Sequence, residues 1–111
     1  MRILFAASDR DLLLCYRQLL EADLGETVTV FDGLQVLSAA GRESFDVAVV
    51  DSHLQRVAPA ELAGYLKSRG VPLIVLSDQK SGDKSADACL CHPFSEEDLV
   101  KTIKTVVGEE K

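Results

Sequence analysis

Phe45-Asp46-Val47-Ala48-Val49-Val50-Asp51-Ser52-His53-Leu54 is the stretch that decides the fold. Residues 47–50 form an unbroken apolar run that ends in a carboxylate. A short apolar run without polar alternation reads as a strand buried on both faces, as in the middle of a parallel sheet. Asp51 then stands at the carboxyl end of that strand. In open α/β sheets this is the edge where ligands bind and chemistry happens. Position alone leaves two readings open, an acid that works there and an acid that caps the next turn.

Working outward, residues 2–7 form a second run of the same buried type. Ser8 and Asp11 follow with the spacing of a capping box, residues 12–23 read as a helix, and Ser8 and Asp9 are its expected caps. Its expected apolar face is Leu12, Cys15, Tyr16, Leu19 and Leu20, and Gly25 closes it. Residues 27–31 alternate and are β-branched, a strand nearer the edge. Asp32-Gly33 makes a turn into a short helix ended by Gly41. After the central strand, Pro59 opens a helix with Leu62, Tyr65 and Leu66 on its apolar face. Residues 71–76 are a fourth strand with Ser77-Asp78 at its carboxyl end. Residues 79–86 are polar and carry at most one weak helical turn. Ala88-Cys89-Leu90-Cys91 is a short fifth strand. Ser95 caps a last helix whose stripe is Leu99, Val100, Ile103, Val106 and Val107. Strands alternating with helices imply a doubly wound five-stranded parallel sheet with helices on both faces and right-handed crossovers.

Length and charge narrow the classes. The chain has 111 residues, room for one core, with residues 1–108 as the domain and 109–111 as a charged tail. A net charge of −6 gives no electrostatic footprint for DNA or RNA. The apolar stretches are too short for a membrane span, and the start lacks a signal peptide's long apolar region, so the expected location is cytoplasmic. Three cysteines (Cys15, Cys89, Cys91) lack framework spacing and are expected to be reduced core residues. Cys89-Leu90-Cys91-His92 hints at a metal site, but strand alternation sets Cys89 and His92 on opposite faces.

Polar groups collect at three strand ends: Ser8-Asp9, Asp51 and Ser77, with His92 after the fifth strand. In this order and spacing the chain resembles the receiver domain of bacterial response regulators, along essentially its whole length. The carriers are the strand ending in Asp51, the Val71-Pro72-Leu73-Ile74-Val75-Leu76-Ser77 strand, His92-Pro93-Phe94 and Asp32-Gly33. The resemblance implies a flavodoxin-like, receiver-like fold. It also implies phosphorelay signalling rather than enzymatic turnover, with Asp51 at the phosphoacceptor position and Ser77 as a phosphate contact. His92 stands where the family has a phosphate-pairing lysine. A histidine kinase or other signalling protein is the implied partner. A homodimer through the fifth strand and last helix is a further expectation.

The chain departs from that family in ways that have physical consequences. The family's acid pair for Mg²⁺ falls on Ala7 and Ser8; Asp9 replaces one acid only if the loop shifts by a residue. Mg²⁺ wants hard oxygen ligands, so Asp51 alone is a poor site, and Asp51 with Asp9 is the candidate pair for a doubtful Mg²⁺. Phosphoryl transfer depends on cations neutralising developing charge, so a lost metal lowers the rate. His92, with a reference pKa near ~6.5, is mostly neutral at pH 7. Cys89 holds the position of an aromatic switch residue, and the segment between Ser77 and His92 is short, implying a short or missing fourth helix. These departures favour an atypical or degenerate receiver. The alternative is a phosphorylation-independent pseudo-receiver that acts as a protein-interaction module. A weaker third reading is an α/β domain binding a small anion in the same pocket.

Overall fold

The buried runs do form the middle of a parallel sheet. The structure, a computed structural model, describes residues 1–54, 56–57, 59–77, 86–91 and 94–108. In chain order the elements are β1 (Arg2–Ala6), α1 (Arg10–Asp23), β2 (Glu26–Val30), α2 (Gly33–Arg42), β3 (Val47–Asp51), α3 (Pro59–Ser68), β4 (Leu73–Ser77), β5 (Ala88–Cys91) and α4 (Glu96–Val107). The sheet order is β2-β1-β3-β4-β5, with every neighbouring pair parallel. The chain winds outward one way from β1 to β2, then returns across β1 to β3 and continues the other way. The region expected to hold a short or missing fourth helix falls largely on residues 78–85, outside the described residues.

Alternation along each strand divides the apolar side chains between two layers. Leu4, Ala6, Ala48, Val50, Leu73 and Val75 pack against α2 and α3. Ile3, Phe5, Val47, Val49, Ile74 and Leu76 pack against α1 and α4. The outer strands carry less. On β5, Cys89 is exposed and its neighbours are half-buried. Asp87 sets the start of this strand: its N–H donates to the Leu73 carbonyl at 2.9 Å, and its Oδ2 accepts from the Leu73 N–H at 2.8 Å.

Four local expectations are corrected. The helix α1 starts at Arg10, so the residue before it, Asp9, is the N-cap; its Oδ1 accepts from the N–H of Asp11 at 2.9 Å and of Leu12 at 3.3 Å. Ser8 is exposed. The stripe of α1 is rotated from the expected one: Leu13 and Leu20 are buried, Tyr16 is half-buried and Cys15 points to solvent. Gly41 does not end α2, which runs on to Arg42. A Cβ there would lie 3.1 Å from the Tyr65 hydroxyl, so this glycine lets α2 and α3 approach closely. Finally, none of the three cysteines is a core residue: Cys15 and Cys89 are exposed and Cys91 is half-buried, because they lie on the outer face of a helix and on an edge strand. None of the three forms a disulfide.

The last helix is specified by its own sequence. The Ser95 Oγ accepts from the Asp98 N–H, and an Asp98 oxygen accepts from the Ser95 N–H, both at 3.1 Å. Three acids occupy its first turn, where the helix dipole favours them. Gly108 ends it at φ 80.

At the amino edge of the sheet, Arg2 gathers the neighbouring segments. It reaches Glu26 on β2 at 3.1 Å and Glu43 at 2.7 Å, and it lies 5.2 Å over the Phe45 ring. Gly25 is tighter still. Its φ is +148, and a Cβ would fall 2.3 Å from the Met1 carbonyl oxygen. The Gly25→Ala variant is expected to lose about 2 kcal/mol or more of stability, read as a lower urea midpoint at unchanged m-value.

An aromatic stack crosses from the core to the surface. Phe5 of β1 stacks on Tyr16 of α1 at 5.6 Å, and Tyr16 stacks on Phe94 at 6.1 Å. Burial pushes the Tyr16 phenol up from its ordinary value, helped by the charges of Glu96 and Cys15. The folded chain therefore holds this proton more tightly than the unfolded chain. That stability is fully present below the unfolded tyrosine value of about 10 and is lost as pH rises through the folded one. In a Tyr65→Phe background, where Tyr16 is the sole tyrosine, an ultraviolet titration is expected to show its transition above about 10. Adding Glu96→Gln is expected to move it down.

Candidate functional site

The carboxyl ends of β1, β3 and β4 lie side by side, and this edge collects the polar residues. Asp51 is the last residue of β3 and pairs in register with Leu76 of β4. Neighbouring strands run about 4.8 Å apart, so Ser77 is one step along the adjacent strand from Asp51. Ser77 is one of two buried polar side chains among the described residues, at 8% exposure. Asp51 and Ser77 therefore share an edge, with alternation sending them to opposite faces of the sheet: Asp51 follows Val47 and Val49, while Ser77 follows Leu73 and Val75.

The Asp51 carboxylate is half-exposed, and its Oδ1 accepts from the His53 N–H at 3.0 Å. This short loop bond fixes the orientation of the group. The second oxygen, Oδ2, has no hydrogen-bond partner among the described residues. Beyond this turn, Arg56 holds a left-handed conformation at φ 83. Such a backbone is uncommon for a non-glycine residue, and nothing in the local sequence announced it.

The β1 side of the edge carries different chemistry. Ala6 pairs with Val50, so Ala7 comes beside Asp51 and lies on the same face. Ala7 is completely buried, packed with the layer under α1 and α4. It presents a methyl group where a metal site would need an oxygen. Asp9 is exposed, and its Oδ1 is engaged in capping α1. No group of three or more His, Cys, Asp or Glu is placed to hold a metal among the described residues. Asp51 is the carboxylate at the centre of the edge, and Mg²⁺ is commonly held by one or two carboxylates together with waters and phosphate oxygens. The edge can offer a nucleophilic carboxylate and a neighbouring hydroxyl. His92 falls outside the described residues, as does Pro93. No helix among the described residues is long and apolar enough to cross a membrane.

Comparison with known proteins adds a lineage to this geometry. No family model matches the chain. Among curated proteins it is similar to the polar-differentiation response regulator DivK of Brucella anthropi, 26% identical over 105 residues and covering 85% of each chain. Among solved structures it shares its fold with the chemotaxis response regulator CheY4 of Vibrio cholerae, with a TM-score of 0.86 at 22% identity over 95% of this chain and 97% of the other. It shares it equally with the receiver domain of the sensor histidine kinase PA1611 from Pseudomonas aeruginosa, at a TM-score of 0.84 and 20% identity over 96% and 97%. That protein carries a magnesium ion coordinated in its active-site cleft. Sequence likeness along most of the chain and a common fold together make the chain similar to the receiver domains of bacterial two-component response regulators.

Proposed function

We infer that this receiver works in phosphorelay signalling through an atypical site, with Asp51 as the phosphoacceptor. The observation that carries the reading is the shared sheet edge: a half-exposed carboxylate at the end of β3, with the buried Ser77 one residue further along the adjacent β4. One Asp51 oxygen is held by the His53 N–H, which aims the group. The other attacks the phosphorus of a donor, the donor's leaving group departs with the electron pair, and an acyl phosphate remains. Ser77 and His92 serve as phosphate contacts, His92 donating a single hydrogen bond in place of a lysine. The role is signalling rather than turnover, in the cytoplasm, with a histidine kinase as donor and no direct contact with nucleic acid or membrane. A homodimer through the β5 and α4 face belongs to the same reading.

Mg²⁺ fits the donors present only poorly, since Ala7 is a buried methyl and Asp9 caps α1, which leaves Asp51 as its carboxylate ligand. No step of the transfer is therefore assigned to a metal, and the transfer is slow because the charge that develops on the phosphoryl oxygens has little to neutralise it. The same observation supports the second reading, a pseudo-receiver that binds partners without being phosphorylated.

Intact-mass measurement after incubation with a small-molecule phosphodonor separates the two. The expected result is a slow gain of one phosphoryl group, lost in Asp51→Asn and nearly the same with Mg²⁺ or with chelator. No gain at any pH from 5 to 8 (a window that spans the histidine value of about 6.5) would establish the pseudo-receiver instead. Returning two acids with Ala7→Asp and Ser8→Asp is expected to make the gain Mg²⁺-dependent and about tenfold faster. The same pair is expected to cost about 1–3 kcal/mol of stability, because position 7 is buried.

A further inference from the structure

The exposed large hydrophobic side chains among the described residues are Leu14 at 56%, Phe31 at 42% and Leu34 at 52%. All three flank the free edge of β2: Leu14 on the outer face of α1, Phe31 just past the strand, and Leu34 in the first turn of α2. A groove between α1 and β2, lined by Arg10, Leu13, Leu14, Arg17, Thr29 and Phe31, joins the first two. Its lining holds two cations and no acid. The other grooves along α1 are different. One carries Asp9, Asp11 and Glu96, and another carries Asp23, Glu96 and Glu97 beside two lysines. In a chain of net charge −6 this is a local reversal of sign.

Arg10 is arranged for recognition. Its guanidinium lies 5.3 Å over the Phe31 ring. Among the described residues it makes no ion pair. A stacked guanidinium keeps its in-plane N–H groups available for a carboxylate. Seven residues on, Arg17 pairs with Glu21 at 3.1 Å, and both side chains are about half-exposed. Such a surface pair is weak and can exchange partners at little cost. Arg10, Leu14 and Arg17 fall at positions i, i+4 and i+7, on one stripe of α1 about 10 Å long.

We propose that the α1–β2 groove docks an acidic amphipathic segment of a partner protein, with one apolar side chain seated between Leu14 and Phe31 and flanking carboxylates on Arg10 and Arg17. Arg is enriched in interface hot spots, and here it is held on an exposed aromatic ring. The charges decide among occupants. A second copy meeting this face in a two-fold contact would bring its own Arg10 and Arg17 against the same two residues. An anionic lipid surface or a nucleic acid would meet the field of a strongly acidic chain. A short acidic segment meets Arg10, which has no ion pair among the described residues, and displaces only the weak Glu21 contact of Arg17.

The test is a titration of the isotope-labelled full chain with a synthetic helical peptide that carries Glu at positions i and i+7 around Leu at i+3 and i+4. Amide shifts are expected to concentrate on residues 10–17 and 29–34. Arg10→Glu is expected to weaken binding at least tenfold and Leu14→Asp to abolish it, with far-UV circular dichroism unchanged in both. Lys104→Glu on α4 is expected to change the affinity less than twofold. The proposal is overturned if the same peptide with Lys for Glu binds equally well, if the shifts centre on another face, or if no shift appears at about 1 mM peptide. Self-association that Arg10→Glu disrupts, or binding to phosphatidylserine vesicles through this face, would overturn the chosen occupant.

Discussion

The pairing of β1 with β3 is the constraint from which the rest of the molecule follows. Both strands are apolar on both faces, so neither tolerates water on either side. Helices must cover the sheet above and below, and right-handed crossovers then send the chain in opposite directions from this central pair. The same reversal opens the carboxyl edge between the strands, where loops diverge. With the faces sealed by apolar packing, the polar groups of the central strands accumulate at their ends. Asp51 and Ser77 lie at this edge for that reason.

Much of the fold was legible in the sequence because the signals were local and redundant. Residues 47–50 and 73–76 have no polar interruption, and the Ser95–Asp98 pair marks a helix start by itself. The sequence was less informative where one residue type serves two purposes. Gly41 reads as a helix stop, yet its lack of a side chain answers to Tyr65 on another helix. Cysteine is a small apolar residue by composition, yet Cys15 and Cys89 face solvent, because the helical stripe rotated toward Leu13 and the fifth strand lies at the sheet edge. Ser8 and Asp9 are both good caps, and only the starting point of α1 chooses between them. For the site, the positions of Asp51 and Ser77 could be read from their strands. The φ of Arg56 and the stacking of Arg10 on Phe31 could not, since they depend on how separate segments meet.

At the β1 end of the site, packing and capping decide which side chains fit. Ala7 belongs to the layer under α1 and α4, where an apolar group packs without cost. A carboxylate at that position would need a cation beside it to offset its desolvation. The methyl group of Ala7 has no such requirement. Asp9 is used by the helix, which needs an oxygen for its first N–H groups. Both residues suit the scaffold, and Asp51 stands beside them as an acid with few neighbours of its own kind.

The two packed layers share no side chain. The sheet between them acts as a rigid partition, so a change of volume under α2 and α3 needs no compensating change under α1 and α4. Such a molecule can be rewritten one side at a time. The residues that meet both halves are those at the strand ends, where Asp51 leans toward one layer and Ser77 toward the other. A group bound across that pair would be the one perturbation that both halves feel at once.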